Sequence, residues 1–199
     1  REGFHQGNVS ITPDGKTMYF TRVELENMAI KTSKIYVAYK GGDGWGAANE
    51  ISGVNGEYIA KNPCEGELFG EKVLFFTALM PGGKGGYDLY YATKKADGAF
   101  GLPVNLEGLN TTEDELSPFY RDGKLYFSSN GYPSFGGLDV FESQWNGSVW
   151  SAPKNLGSPI NGALDDQYYM QNPDGMSGYL VSNRPGPNNL KSKTCCDDI

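Results

Sequence analysis

Histidine is nearly absent from the 199-residue sequence, in which His5 is the only one. A His-based triad, a His-rich zinc site or a His acid–base pair therefore cannot be assembled beyond this residue. No D-x-D-x-D-G calcium loop and no phosphate-binding loop is present either. We expect no bound metal and no cofactor, and only carboxylates are left as candidates for acid–base chemistry.

Cysteine is scarce as well, because the chain contains only Cys64, Cys195 and Cys196. An odd number leaves at least one thiol unpaired within the chain, so no disulfide framework can be inferred and the redox state stays open. Cys195 and Cys196 are adjacent, but neither a CxxC pair nor a His cluster accompanies them, which disfavours a metal site.

Basic residues are outnumbered, since 17 Lys and Arg face 24 Asp and Glu and the net charge is −7. Nucleic-acid binding requires Lys and Arg clustered against phosphates, so we expect no nucleic-acid partner. Long hydrophobic runs are also missing. No stretch approaches the roughly 18 apolar residues of a membrane-spanning helix, and we expect no direct membrane span.

Helical periodicity is absent, whereas turn residues and aromatic residues are abundant. The chain has 28 Gly, 11 Pro and an aromatic fraction of 13%. Aromatic residues pack well on pleated sheets and Gly and Pro supply tight turns, so the composition predicts an all-β fold. The segment ELENMAIK (24–31) has some helical propensity, and we interpret it as an insertion within a loop.

Two strand-like sequences alternate along the chain, and each recurs at intervals of about fifty residues. The first series is MYFTR (18–22), LFFTA (74–78), LYFSSN (125–130) and GYLVSN (178–183). The second series is KIYVAYK (34–40), DLYYATK (88–94), DVFESQW (139–145) and the truncated DDI (197–199). This period predicts one repeat region, residues 1–199, with approximate units 1–56, 57–111, 112–162 and 163–199, the last incomplete.

Asp-Gly turns separate the first two strands in three of the four units. They are TPDGK (12–16), YRDGK (120–124) and NPDGM (172–176), and Asp-Gly between two strands is a strong hairpin signal. The second unit has GELFGEK (66–72) instead, so we expect a looser hairpin there.

Four short strands in each unit predict a four-stranded antiparallel sheet that must bury apolar residues. Stacking such sheets around an axis buries sheet against sheet and leaves only short edges. The sequence therefore predicts a β-propeller of four-stranded antiparallel blades, forming a partial or gapped ring.

Three segments resemble TolB-type propeller repeats: GGKGGYDLYYA (82–92), SPFYRDGKLYFSSN (117–130) and FGGLDVFES (135–143). The resemblance places Asp88, Asp139 and Asp198 on the repeated Asp of these proteins. It implies a structural role, in which the Asp begins a strand and accepts hydrogen bonds from loop backbone.

The segment RPGPNNLKSKTCCDDI (184–199) is similar, more narrowly, to the propeller of a periplasmic component of the type IX secretion system. This resemblance implies a periplasmic, outer-membrane-associated location and protein partners in a cell-envelope complex. Peptidoglycan association would occur only through domains that are not in this sequence. On this basis we expect a noncatalytic scaffold for protein–protein interactions, possessing no enzyme activity.

The alternative is a carbohydrate-active or glycan-binding propeller, because glycosidases need only two carboxyl groups about 5 to 10 Å apart. Acidic residues precede the inner strand of the third and fourth units, and the candidate site acids among them are Glu115 and Asp166. Because the feature repeats, a structural role is favoured. The aromatic residues Trp45, Phe100 and Trp150 also recur once per unit, which favours packing between blades over a partner-binding role.

Overall fold

The computed structural model describes residues 4–184, in which all regular secondary structure is β-strand. The first sheet contains β1 (Phe4–Ile11), β2 (Thr17–Glu26), β3 (Ala29–Gly41), β4 (Gly44–Trp45) and β5 (Asn49–Glu50). The second contains β6 (Ile59–Leu68), β7 (Glu71–Leu79), β8 (Asp88–Thr93) and β9 (Val104–Asn105). The third contains β10 (Glu115–Arg121), β11 (Lys124–Ser129), β12 (Asp139–Gln144) and β13 (Lys154–Asn155), and the fourth contains β14 (Asp166–Gln171) and β15 (Gly178–Ser182). Paired strands are antiparallel throughout.

The sheets pack face to face because successive residues of their strands are apolar on both faces. Phe75 and Phe76 are neighbours in β7 and both are fully buried. Phe76 packs in a cluster with Tyr19 of the first sheet, whereas Phe75 packs with Phe127 of the third. Burying one such side chain contributes about 1.5–3 kcal/mol, so the second sheet depends on a neighbour on either side.

The innermost strands β1, β6, β10 and β14 contact one another in chain order. Within residues 4–184, β14 makes no contact with β1, so the blades form an arc and not a closed ring. The predicted all-β propeller with a partial ring is confirmed.

None of the described residues lies in a helix long and apolar enough to cross a membrane. The predicted strand DDI (197–199), together with Cys195, Cys196 and Asp198, lies outside the described residues.

The hairpin expected to be loose in the second unit is as tight as any in the structure, so that prediction is wrong. Leu68 pairs directly with Glu71, and the two turn residues Phe69 and Gly70 both take left-handed φ values of 56° and 75°. This is the backbone of the mirror-image two-residue turns that fit the twist of a hairpin. The turn geometry is therefore present without Asp-Gly, because Phe69 adopts the conformation that Asp would take.

The segment 24–31 is not a loop insertion, and that interpretation is also wrong. Strands β2 and β3 keep pairing to Glu26 and Ala29 and reverse at Asn27 and Met28, whose φ values are 51° and 64°. Lys31 lies 3.7 Å and 3.4 Å from two glutamates of the facing strand. A two-residue reversal and cross-strand charge pairs thus extend the hairpin where the second and third blades have a glycine-rich loop.

An asparagine, buried in the second and third blades and half-buried in the first, ties the chain to the third strand of each of the first three blades, a feature that sequence reasoning missed. Asn110 accepts a hydrogen bond from the Leu89 N–H at 2.8 Å and donates one to the Leu89 carbonyl at 2.9 Å. Asn55 and Asn161 make the same pair of bonds in their own units. The available signal was an apolar residue followed by Asn once per unit. The amide therefore substitutes for a neighbouring strand.

We expect Asn110→Ala to lower the free energy of unfolding by about 2–4 kcal/mol, because it leaves the N–H and carbonyl of Leu89 buried and unpaired. Urea denaturation followed by far-UV circular dichroism measures the change. Asn49→Ala is the control, since Asn49 is exposed and a surface change costs about 0.5 kcal/mol or less. Equal midpoints for the two variants would contradict the role of Asn110.

Candidate functional site

Glu115, one of the two candidate site acids, is fully buried at the start of β10. Its Oε1 accepts hydrogen bonds from the hydroxyls of Thr111 and Ser129, both at 2.7 Å, and its Oε2 accepts the Thr111 N–H at 2.8 Å. Burial raises the pKa of this carboxyl group. Both oxygens are therefore occupied by the chain that surrounds them.

Asp166, the second candidate acid, is buried at the equivalent position of β14. One carboxylate oxygen pairs with the guanidinium of Arg184, and the other accepts the Gly162 N–H at 2.7 Å. Arg184 also donates to the carbonyl of Ile160 at 2.6 Å. Asp166 thus fastens the connection between the third and fourth blades to the end of β15.

Asp88 and Asp139 are buried at the first residue of β8 and β12 and have matching partners. Each accepts two loop N–H groups and one Asn side-chain amide. The donors are Lys84, Gly85 and Asn105 for Asp88, and Phe135, Gly136 and Asn155 for Asp139, at 2.5–3.3 Å. These carboxylates hold the glycine-rich loops in place. Asp198, the third residue of this series, lies beyond residue 184.

The innermost strand of every blade is interrupted by a bulge at the same place. The strand register shifts at Gly7/Ser10, Lys61/Cys64, Leu116/Phe119 and Gln167/Met170. The first bulged residues are Asn8, Asn62, Ser117 and Tyr168, and all four have φ between 52° and 55°. A bulge redirects side chains, and positive φ is uncommon for residues other than glycine. The four bulges converge on the axis of the arc.

The bulged residues and their neighbours line a pocket on this axis, which we call the axial pocket. It is lined by residues 8–10, 62–64, 117–119 and 168–170, three from each inner strand. Its volume is about 70 Å³, several times the roughly 10–15 Å³ that one water molecule needs. Neither Glu115 nor Asp166 is among the lining residues, although each precedes a bulged residue by only two positions.

Two buried polar atoms of the axial pocket have no hydrogen-bond partner within residues 4–184. They are Nδ2 of Asn62 and Oγ of Ser117, whose residues are only 5% and 6% exposed. Buried polar groups are almost always paired, and an unpaired one costs about 1–3 kcal/mol. The pocket therefore holds two unused hydrogen-bonding groups, and its described lining contains no Asp, Glu, Lys or Arg.

Cys64 also lines the axial pocket and is buried. Its Sγ accepts the N–H of Tyr120 at 3.3 Å, and burial raises the pKa of the thiol to about 11. The thiol is therefore neutral at physiological pH and adds no charge to the pocket. Aromatic surface comes from Phe119, Tyr168 and Tyr169, and the Tyr169 ring packs 5.2 Å from that of Tyr126 in the third blade.

Sequence reasoning did not identify the axial pocket, although one signal was available. Pro63 and Pro118 follow the first bulged residue in β6 and β10. Proline cannot donate to a strand ladder, so within sheets it is confined to edges, strand starts and bulges. A proline at the same position in the middle of two equivalent inner strands is typical of a bulge.

No protein-family model matches the chain, and no curated protein sequence matches it. Solved structures do resemble it. An α-L-arabinofuranosidase from Lactobacillus brevis is 14% identical with a TM-score of 0.59, and the match covers 91% of this chain and 66% of that one. A thermostable family-43 glycoside hydrolase is 18% identical with a TM-score of 0.51, over 84% and 62%. A mutant levansucrase from B. megaterium is 11% identical with a TM-score of 0.50, over 89% and 60%.

At these identities the likeness shows the fold, and the chain spans somewhat less than two thirds of each of the three structures. The resemblance to TolB-type repeats, and more narrowly to PorE, is nevertheless wrong, because the similar structures are glycoside hydrolases and a levansucrase. The expectation of a noncatalytic scaffold in type IX secretion is wrong for the same reason, as is the expectation that the chain is not an enzyme. The periplasmic location and the envelope partners stay predictions.

The raised pKa of Cys64 predicts a pH-dependent loss of stability. The folded protein holds the thiol proton to about pH 11, whereas an unfolded thiol loses it near pH 9. This contribution, about 2–3 kcal/mol, is therefore fully present below pH 9 and is lost as the pH rises through 11. Urea denaturation between pH 8 and pH 11 measures it.

Cys64→Ala is the comparison, because tyrosine ionisation at high pH affects both proteins alike. Cys195 and Cys196 are replaced by Ser in both, which removes disulfide exchange. We expect the stability difference between the two proteins to shrink as the pH rises. A difference that stays constant from pH 8 to pH 11 would show that the thiol has an ordinary pKa.

Proposed function

We propose that the chain is a carbohydrate-binding propeller and that it binds a neutral sugar in the axial pocket. The observation that carries this proposal is the pair of unpaired polar atoms, Asn62 Nδ2 and Ser117 Oγ, which lie in a pocket that also contains tyrosine rings. The names of the similar solved structures support the same class of ligand.

A sugar matches the chemistry of this pocket. Its hydroxyl groups both donate and accept hydrogen bonds, and its C–H faces pack on aromatic rings. When the side chains of Asn62 and Ser117 turn toward the pocket, a ligand hydroxyl accepts from Asn62 Nδ2 and pairs with Ser117 Oγ, which removes the cost of leaving both atoms buried and unpaired. Tyr168 is partly exposed at the bulge of β14 and offers its ring to the sugar face. Binding therefore completes the hydrogen bonding of the inner strands.

The lining of the pocket also limits which sugar fits. Its described residues carry no charge at neutral pH, so a uronate or a phosphorylated sugar would lose its hydration without gaining an ionic partner. The small volume suits one terminal sugar unit and not the middle of a chain. The proposed ligand is therefore the neutral end of a glycan.

Hydrolysis of a glycosidic bond needs two carboxyl groups on either side of that bond. Glu115 and Asp166 do not meet this requirement, because both are buried, hydrogen-bonded to their own chain and outside the axial pocket. The geometry therefore supports sugar binding at the axis, and carboxylates that break a bond would have to come from elsewhere in the protein.

Ser117→Ala is expected to weaken sugar binding by roughly threefold to tenfold, the value of one hydrogen bond of about 0.5–1.5 kcal/mol. Titration calorimetry or ligand-observed NMR with L-arabinose and D-fructose measures it. The stability of the variant should stay the same or rise, since Ser117 Oγ has no partner to lose among the described residues.

Ser128→Ala is a closely matched control, because Ser128 is also buried with an unpaired Oγ but does not line the axial pocket. It should bind both sugars like the unaltered protein. Equal binding by the two serine variants would refute the pocket as the sugar site. Release of 4-nitrophenol from 4-nitrophenyl α-L-arabinofuranoside, measured on the same proteins, tests separately whether a bond is broken.

A further inference from the structure

Phe69 occupies an unusual backbone position at the turn between β6 and β7. Its φ is 56°, a value normally taken by Gly, Asn or Asp, and its side chain is 63% exposed. A bulky residue in this conformation costs on the order of 1–3 kcal/mol. Burial of a mostly exposed ring offsets little of that strain energy, so the packing of the ring does not explain why Phe69 occupies this position.

The Phe69 ring forms one wall of an open groove between the second and third blades, which we call the rim groove. Its volume is about 530 Å³, and its walls include Glu67, Phe69, Tyr120 and Trp145. Gly70 and Gly147 also line it, and a side chain added at either glycine would meet only open space. The rim groove is therefore wide, aromatic and free of obstructing side chains at two of its positions.

The aromatic rings of the rim groove pack in pairs. Phe69 and Trp145 meet edge to face, with centroids 5.0 Å apart and planes at 83°. One face of Tyr120 is already stacked on Phe75 at 5.4 Å, so at most its other face can take a ligand. An aromatic cage for an organic cation needs several ring faces turned to one point, whereas the ring contacts here are one edge-to-face pair and one stacked pair. Flat faces suit the stacking of a sugar ring.

Polar groups for sugar hydroxyls accompany these faces. The Glu67 side chain is exposed and supplies two acceptor oxygens. Trp150 packs 5.2 Å from Trp145 but does not line the rim groove, so the polar side-chain atoms of the lining belong to Glu67, Tyr120 and Trp145. Flat rings with hydrogen-bonding groups around them are the elements of a carbohydrate-binding surface.

We infer that the rim groove is a second sugar-binding site, separate from the axial pocket. Its class of ligand rests on the proposed function, but the two sites share no lining residue. The rim groove is several times larger than the axial pocket, so it accepts internal units of a polysaccharide where the axial pocket accepts an end. Two sites on one chain raise the affinity for a long glycan through effective concentration.

Phe69→Asn tests the rim groove without breaking the turn, since Asn-Gly is the favoured pair for a two-residue hairpin turn. We expect thermal stability to stay equal or rise, while the apparent Kd for soluble arabinan and levan increases about tenfold, equal to about 1.4 kcal/mol, because the stacking ring is lost. Affinity electrophoresis in gels containing each polysaccharide measures the Kd. Phe135→Asn is the control, because Phe135 is also 63% exposed but lies in a different loop.

Unchanged retardation of Phe69→Asn, or equal losses in both phenylalanine variants, would overturn the rim groove as a sugar site. Loss of tryptophan fluorescence quenching by tetramethylammonium in Phe69→Asn, with no polysaccharide binding by the unaltered protein, would identify a cation site and also overturn it. Monosaccharide binding separates the two proposals. Monosaccharide affinity should fall in Ser117→Ala and stay unchanged in Phe69→Asn, so a negative result for one site does not affect the test of the other.

Discussion

Each blade of this protein is a thin sheet with apolar residues on both faces, and that constraint determines the rest of the fold. Adjacent residues such as Phe75 and Phe76 point in opposite directions and are both fully buried. A single sheet would leave one of them in water, at a cost of about 1.5–3 kcal/mol. Sheets must therefore stack in chain order, which brings their innermost strands together along an axis. The axial pocket is therefore a consequence of the packing that buries the apolar faces of neighbouring sheets.

Close stacking creates a second requirement, since the segments that join one sheet to the next carry backbone groups that must be paired. Side chains meet that need in more than one unit, and the second and third blades show it: Asn110 pairs with Leu89, and Asp88 and Glu115 accept N–H and hydroxyl groups of nearby loops. The carboxylate oxygens of Asp88 and Glu115 are already occupied by these hydrogen bonds. Glu115 lies two residues before the bulge of its inner strand, but its bonding is that of a structural residue.

The sequence-based prediction succeeded where a signal is local and repeated. Asp122-Gly123 is a two-residue hairpin turn as expected, and the spacing of similar strands indicated a propeller. It failed at Phe69-Gly70 and at segment 24–31, where Phe69 and Met28, two residues without turn preference, adopt left-handed conformations that pairing imposes. The axial pocket was missed because its lining comes from four segments about fifty residues apart, brought together only by a shared bulge. The family resemblance led to a wrong functional prediction, because the repeated sequence pattern indicates the blade fold and not the chemistry of a site.

Repetition itself helps to separate structural residues from functional ones in this molecule. At the positions of Asp88 and Asp139, both the backbone and the side chain repeat, and both serve the loops of their own blades. At the bulges the backbone repeats, with φ between 52° and 55°, but the side chains are Asn, Asn, Ser and Tyr. A conformation common to all blades is maintained by the fold, whereas side chains that differ are not needed for it. The unpaired Asn62 and Ser117 lie at these positions, so the chemistry of the pocket can vary without altering the architecture that forms it.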